Sequence, residues 1–209
     1  MYEYVAKEQV ARYESYCRNV MGRLRKKLEA EHFIRSYVTL IGSGAEDMVT
    51  RNGKGPFDLD YNIVLTALPE RYEDAPGRIK NIARETLDGL VDGRFSHGKG
   101  STSSLTYLAH AEERKRLVFS FDAAIIRERE GKYKLVHDKG QNQFVWNQVP
   151  YSKRLDEKAA AIRKADCWDD VEKAYLDLKN MYLRRQQEKN HPSFVVYVEA
   201  VNQVYQTIK

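Results

Sequence analysis

Apolar residues recur every three to five positions from Val5 to Leu28, which predicts an amphipathic helix over the first thirty residues. The middle of the chain instead holds short apolar runs typical of strands, at 37–41, 57–65, 105–108, 117–126 and 132–137. One more helical stripe interrupts these runs, and it consists of Ile79, Ile82, Ala83, Leu87 and Leu90. Strands and helices in this order predict an α+β domain with a mixed sheet and flanking helices.

The chain changes character near residue 151, after which every periodic segment is helical. One segment covers 152–165 with Ser152 as its N-cap, a second stripe runs from Val171 to Tyr182, and a third follows Pro192. We therefore expect a mixed domain over residues 1–150 and a helical subdomain over residues 151–209.

The connections carry their own predictions. Residues 45–50 are expected to form a short helix, and the glycine-rich residues 52–56 a loop. The segment 132–137 is expected to be an edge strand, and the residues from 144 to 150 are expected to form a polar loop.

Composition and charge limit the class of protein. The chain has 209 residues, of which 42% are hydrophobic and 31% charged, as in a soluble globular protein. No apolar run approaches the roughly 18 residues that a membrane span needs. Cys17 and Cys167 lie far apart without metal-ligand spacing, so we expect reduced thiols and a cytoplasmic protein. The net charge of +5 fits an anionic substrate.

Two aspartates in the second predicted strand indicate a candidate metal site. Asp58 and Asp60 are two residues apart and therefore share one strand face, whereas the other face takes apolar side chains. Aspartate is disfavoured in strands, and two like charges so close repel each other unless a cation lies between them. Carboxylate oxygens suit Mg²⁺. The alternative is a solvated strand edge with no ligand.

A third aspartate, Asp122, lies in LVFSFDAAII, the most apolar strand of the chain. A buried aspartate is costly unless it meets a cation, a hydrogen-bond network or, across a metal, the other two carboxylates. The alternative is a structural aspartate paired with Arg or Lys.

The segment 92–104 is rich in glycine and hydroxyl side chains. Gly93, Gly98 and Lys99 match part of the phosphate-binding pattern Gly-x4-Gly-Lys-Ser/Thr, but Gly100 stands where Ser or Thr is required and a strand follows. We interpret the segment as a loop, either mobile near a substrate or a plain connection.

Taken in order, Gly42-Ser43, Asp58-Leu-Asp60 and Asp122 resemble the nucleotidyltransferase superfamily related to DNA polymerase beta. That family's pattern is an apolar residue, Gly-Gly or Gly-Ser, a spacer, Asp-x-Asp and a third carboxylate on a following strand. Fourteen residues, from Gly44 to Phe57, separate Ser43 from Asp58, which is slightly longer than the family's spacer.

The resemblance extends to the helical half. Poly(A) polymerases, CCA-adding enzymes and cyclic-oligonucleotide synthases carry a lysine on one helix and a serine that opens a later one, both in contact with the triphosphate. Lys179 and Ser193 lie at similar places. The alternatives are a solvated lysine and a simple helix cap.

The resemblance implies a metal-dependent enzyme that moves a nucleoside monophosphate from ATP or another NTP to an acceptor hydroxyl and releases pyrophosphate. Asp58, Asp60 and Asp122 would be catalytic and would bind Mg²⁺ or Mn²⁺. The nucleotide would contact Gly42, Ser43, Lys179 and Ser193. RNA, a partner protein, a nucleotide and a small molecule all stay open as acceptors. Two other functions also stay open: an inactive nucleotide- or RNA-binding protein, and a metal-dependent phosphohydrolase.

Overall fold

The computed structural model describes residues 1–98, 101–111, 116–149 and 153–208. The chain divides into two compact units. The larger consists of Ala6–Val49 and Gly55–Pro150, and the smaller of Met1–Val5, Thr50–Lys54 and Tyr151–Lys209. Lys99, Gly100 and the predicted cap Ser152 lie outside the described residues. The predicted boundary between residues 150 and 151 stays a prediction.

The described residues form nine strands and six α-helices. In chain order they are β1 (Tyr2–Tyr4), α1 (Lys7–His32), β2 (Arg35–Ile41), α2 (Gly42–Ala45), β3 (Thr50–Asn52), β4 (Phe57–Ala67), α3 (Pro76–Asp88), β5 (Phe95–His97), β6 (Leu105–His110), β7 (Leu117–Glu128), β8 (Lys132–Asp138), β9 (Gln143–Gln148), α4 (Lys153–Lys164), α5 (Trp168–Arg184) and α6 (Ser193–Thr207).

The larger unit is built on a seven-stranded mixed sheet. Five strands follow the order β2-β4-β7-β6-β5, β8 pairs with the end of β7, and β9 pairs with β8. The central pair β4 and β7 is parallel, and the other pairs are antiparallel. This sheet places β4 directly beside β7, the two strands in which the sequence analysis found its three aspartates.

An aromatic and aliphatic core covers one face of this sheet. Phe57 and Phe119 are almost fully buried, and the ring of Tyr13 from α1 stacks on Phe119 at a centroid distance of 4.2 Å. Helix α3 adds Ile79, Ala83 and Leu87, all buried. Because successive strand residues point to opposite faces, burial of Phe57 and Leu59 directs Asp58 and Asp60 to the other face.

The smaller unit combines helices α4, α5 and α6 with the antiparallel pair β1–β3. The side chain of Asn180 on α5 joins the two parts, because its Oδ1 accepts from the amide of Tyr2 at 2.6 Å and its Nδ2 donates to the Tyr2 carbonyl at 3.0 Å. Buried side chains of α5 and α6 form the interior: Val171, Tyr175, Val196, Ala200 and Val201.

Three predicted elements are wrong. The helix begins at Lys7, and residues 2–4 are a strand because they pair with Thr50–Asn52, a partner too distant in sequence to be visible in a local pattern. The predicted helix at 45–50 lies instead at Gly42–Ala45, since Thr50 belongs to that strand pair. Residues 143–148 form strand β9, so β8 has partners on both sides and is not an edge strand.

Helices of the described residues are too short or too polar to cross a membrane.

Candidate active site

Asp58 and Asp60 lie on one face of β4, as the alternating pattern predicts. Leu59, between them, is fully buried against the core, whereas Asp58 is exposed and Asp60 half-buried. The pairing of β4 with β7 is in register at this point, with Asp60 opposite Asp122 and Asp58 opposite Ser120. Neighbouring strands are about 4.8 Å apart, so the parallel pairing brings Asp60 and Asp122 together on the same face.

The proximity of the carboxylates affects the titration of Asp60. Burial, followed by the negative charges of Asp58 and Asp122, raises the pKa of Asp60 from 3.8 to about 6. The nearby ammonium of Lys134 on β8 lowers it in part. Lys134 was not among the predicted site residues, because nothing in a short strand segment shows which distant carboxylate its side chain approaches.

The Gly-Ser turn lies beside Asp60. Ile41 is opposite Asp60 in the β2–β4 pairing, and Gly42 follows with a φ of 63°. A Cβ on Gly42 would lie 3.3 Å from Asp60 Oδ2. Ser43 is half-buried in the next position, and its carbonyl accepts from the amide of Met48 at 2.8 Å. The turn therefore combines a left-handed backbone with a close approach to a carboxylate, and both favour glycine.

A second glycine of the turn has a packing role. A Cβ on Gly44 would lie 2.9 Å from Leu59 Cδ2 and 3.0 Å from Leu40 Cδ1. The absence of a side chain at residue 44 lets the turn pack closely on the strands that carry the site.

Asp122 is hydrogen-bonded to two hydroxyl side chains. Thr106 lies opposite Asp122 in the antiparallel β6–β7 pairing, and its Oγ1 donates to Asp122 Oδ1. Ser104 Oγ donates to the same oxygen at 3.3 Å. Of the explanations left open for this aspartate, the structure therefore shows a hydrogen-bond network. Neither Thr106 nor Ser104 was predicted as a partner of Asp122, since the register of β6 on β7 is not visible in the sequence.

The donor atoms of this face suit a divalent cation, because the three carboxylates offer hard oxygen ligands. Within the part of the chain that the structure describes, no three His, Cys, Asp or Glu side chains lie close enough as they stand to hold one ion. Asp58, Asp60 and Asp122 nevertheless lie on one face of the sheet, with Asp60 in register with Asp122, so the residue types and the backbone register fit a metal site.

Lys80 holds the segment that carries Ser104. Its side chain, on α3, is 5% exposed, and Nζ donates to the carbonyls of Ser101 at 3.0 Å and Thr102 at 3.4 Å. Burial, more than the neighbouring charges of Arg84 and Lys134, lowers the pKa of Lys80. Strands β5 and β6 lie on either side of Gly98, whereas a phosphate-binding loop of the Gly-x4-Gly-Lys type is followed by a helix.

The smaller unit brings together the two residues predicted there. Lys179 Nζ donates to Ser193 Oγ at 3.1 Å and to Thr50 Oγ1 at 2.9 Å, and it lies 4.3 Å from the ring centroid of Tyr2. Ser193 is the first residue of α6, but Pro192 is the N-cap and no side chain caps this helix. The simple-cap interpretation of Ser193 is thus wrong. The role of the pair in nucleotide binding stays a prediction.

No family model matches the sequence, and no curated protein matches it either.

Solved structures do resemble the chain. Escherichia coli MS115-1 CdnC with ATP superimposes with a TM-score of 0.56 and 13% identity over 98% of this chain. Rhodothermus marinus CdnE c-UMP-AMP synthase superimposes with a TM-score of 0.54 and 15% sequence identity over 95% of this chain. For Vibrio cholerae DncV cyclic AMP-GMP synthase, the TM-score is 0.57 and the identity 8% over 84% of this chain. These proteins are nucleotidyltransferases.

The chain has the nucleotidyltransferase fold. It spans 62% of the length of CdnC, 75% of CdnE and 60% of DncV. The predicted fold class, a mixed sheet with flanking helices and a helical C-terminal part, is confirmed. At these identities the likeness shows the fold, and the roles of individual residues stay predictions.

Proposed function

We propose that the protein is a nucleotidyltransferase that moves a nucleoside monophosphate from an NTP to an acceptor hydroxyl and releases pyrophosphate. One observation carries this proposal: a left-handed glycine turn lies beside Asp60, which is in register with Asp122 on the neighbouring parallel strand. A phosphate-accommodating turn and three carboxylates are the parts that this reaction needs, and the fold is one in which such reactions occur.

Asp58, Asp60 and Asp122 would hold Mg²⁺ or Mn²⁺, whose positive charge offsets the charge that develops on the attacking and leaving oxygens. Gly42 leaves room for the phosphates where a side chain would crowd Asp60. Ser43 donates its hydroxyl to a phosphate oxygen. Asp122, whose carboxylate accepts hydrogen bonds from two hydroxyl groups, would act as the general base that accepts the proton of the attacking hydroxyl.

Lys179 and Ser193 are proposed to bind the triphosphate as a pair. Their contact of 3.1 Å means that one ligand oxygen can interact with both, and the bond to Thr50 restricts the lysine side chain before the ligand arrives. Such preorganisation lowers the entropic cost of binding.

The acceptor is proposed to be a nucleotide hydroxyl. The similar CdnE is a c-UMP-AMP synthase, and the similar DncV was solved with the linear intermediate pppA(3′,5′)pG. In both names one nucleotide is joined to another, and the mildly basic charge of this chain fits a polyanionic acceptor. The test below distinguishes a nucleotide acceptor from RNA and protein acceptors.

The test incubates the purified protein with each of the four NTPs, singly and in pairs, labelled at the α-phosphate, with Mg²⁺ or Mn²⁺. We expect pyrophosphate release and a labelled product that survives phosphatase, because its phosphates lie between sugars. Asp122→Asn should abolish this product. Labelled free nucleotide with inorganic phosphate would instead identify a phosphohydrolase, and NTP binding without turnover an inactive nucleotide-binding protein. If transfer occurs only after RNA or cell extract is added, the acceptor is RNA or a protein and not a nucleotide.

A further inference from the structure

A carboxylate clamp supports the third aspartate of the candidate site. We propose that Thr106 and Ser104 are positioning residues that fix the Asp122 carboxylate in one rotamer by donating both hydroxyls to Oδ1. The function of this clamp in catalysis rests on the proposed nucleotidyl transfer, whereas its effect on the rotamer of Asp122 does not.

The geometry of the strand pair explains why two hydroxyls meet one oxygen. Thr106 is directly opposite Asp122, and Ser104 precedes it by two residues, so both side chains point to the Asp122 face of the sheet. A carboxylate oxygen has two lone pairs and can therefore accept from both donors at once. Hydrogen bonds to an ionised acceptor are the strong ones in proteins. Within the described residues Oδ2 receives no such bond and is left for a ligand.

Thr106 is itself held in one conformation. A Cβ on Gly98 would lie 2.5 Å from Thr106 Cγ2, so the methyl group occupies the space that a side chain at residue 98 would take. The amide of Gly98 also donates to the Thr106 carbonyl at 2.9 Å. A β-branched side chain has few χ1 conformations, and this packing selects one that directs the hydroxyl to Asp122.

Ser104 is fixed by the segment that precedes β6. Its amide donates to Ser101 Oγ at 3.2 Å, which closes a turn over residues 101–104. The carbonyl of Thr102 accepts from the amide of His137 at 2.8 Å, and buried Lys80 donates to the carbonyls of Ser101 and Thr102. Strand β8 and helix α3 thus both anchor the turn. The serine-rich turn at residues 101–104, whose role the sequence did not reveal, thus holds Ser104 in place beside Asp122.

The experiment compares Thr106→Val, which keeps the shape and removes the hydroxyl, with Thr106→Ser, which keeps the hydroxyl. We expect Thr106→Val to lower kcat about 10- to 100-fold, the value of one hydrogen bond to a charged group, while the KM for NTP changes less than about twofold. Thr106→Ser should recover most of the loss. Thr86→Val is the matched control, because the Thr86 hydroxyl donates to the Ile82 carbonyl within α3.

Two readouts do not depend on turnover. Mn²⁺ binding, followed by electron paramagnetic resonance, should weaken in Thr106→Val and in Ser104→Ala but not in Thr86→Val. Crystal structures should show one Asp122 rotamer in the wild type and a displaced or divided carboxylate in Thr106→Val. An unchanged carboxylate in a folded Thr106→Val or Ser104→Ala protein overturns the clamp. A wild-type protein with a fixed Asp122 but no transfer activity would reject the proposed function alone.

Discussion

Gly42 lies beside Asp60 at the end of the β2–β4 pairing: a Cβ on the glycine would lie 3.3 Å from Asp60 Oδ2. The glycine also has a φ of 63°, a left-handed conformation that costs other residues roughly 1 kcal/mol. One position therefore serves two requirements, a backbone turn and space beside a carboxylate. A substitution at this residue should affect both stability and the site.

The first prediction separates these two effects. Gly42→Ala should destabilise the protein by about 1–2 kcal/mol and lower turnover at least about tenfold, because the methyl group strains the turn and pushes the Asp60 carboxylate. Gly53→Ala is the matched control, since Gly53 also has a positive φ, 55°, but its Cβ would meet no atom within 4 Å. Urea denaturation and nucleotidyl transfer measure the two effects. Equal activity losses in both variants would mean that contact with Asp60 is unimportant.

The second prediction concerns the pH dependence of stability. The folded protein raises the pKa of Asp60 to about 6, so the unfolded chain ionises this group more readily. The raised pKa of Asp60 therefore favours the folded state fully below pH 3.8, where the carboxyl is protonated, and this contribution to the free energy of unfolding is lost as the pH rises through about 6. Asp60→Asn cannot ionise. It should therefore stabilise the metal-free protein at pH 8, by about 1–2 kcal/mol after allowance for solvent screening, and much less at pH 4.

Urea denaturation in EDTA at both pH values measures this difference. Asp74→Asn removes one carboxylate from an exposed position and controls for the change in net charge. A stabilisation of equal size at pH 4 and pH 8 would contradict a role for the Asp60 charge. Addition of Mn²⁺ should raise the melting temperature of the wild type and have a smaller effect on Asp60→Asn, since ligand binding stabilises the folded state.

The sequence alone predicted that Asp58 and Asp60 share one strand face, because that signal is local. Strand alternation directs Asp58 and Asp60 to one face whatever the neighbouring strands are. The partners of these residues depend on register between distant segments, and register cannot be obtained from a single sequence. The hydrogen bond from Thr106 to Asp122 and the electrostatic effect of Lys134 on Asp60 were missed for that reason.

The same argument explains the errors in secondary structure. Tyr2–Tyr4 pairs with Thr50–Asn52, almost fifty residues away, and neither segment is apolar enough to be recognised as a strand. Strand β9 pairs with β8 alone among the described strands and is half polar, so it was predicted as a loop; the strand predicted at 132–137 was correct, but its edge position was wrong. The long periodic helices α3 and α5 were predicted correctly, since their apolar stripes do not depend on tertiary partners.

The third prediction concerns Ser43. Ser43→Ala should weaken NTP binding by about 1.5–3 kcal/mol, the value of one hydrogen bond to a charged group, because Ser43 directly follows Gly42, the residue beside Asp60. The fold should be unaffected, since the structural contact of residue 43 is made by its carbonyl with the amide of Met48. Calorimetry with a non-hydrolysable NTP measures the binding. Unchanged affinity would assign Ser43 a structural role only.

The fourth prediction concerns Lys179 and its contact with Ser193. Lys179→Met should weaken NTP binding by at least about tenfold, because it removes the charge that a triphosphate would meet. It should also release Ser193 Oγ and Thr50 Oγ1 from their donor at a modest cost in stability, about 1 kcal/mol. Ser193→Ala should have a smaller effect on binding, since a neutral hydroxyl is lost. Lys173→Met, an exposed lysine on the same helix, is the matched control.

A double-mutant cycle decides whether the two residues act together on the nucleotide. Residues in contact give coupling energies of roughly 0.5–3 kcal/mol, and independent sites give values near zero. If Lys179 and Ser193 bind one triphosphate, the combined variant should lose less affinity than the sum of the single losses, because either change already disturbs the other's contact with the ligand. Additive losses would indicate two separate contacts. If affinity is retained in Lys179→Met while stability falls, the lysine is a structural bridge between α5, α6 and β3, and the prediction of a nucleotide role is wrong.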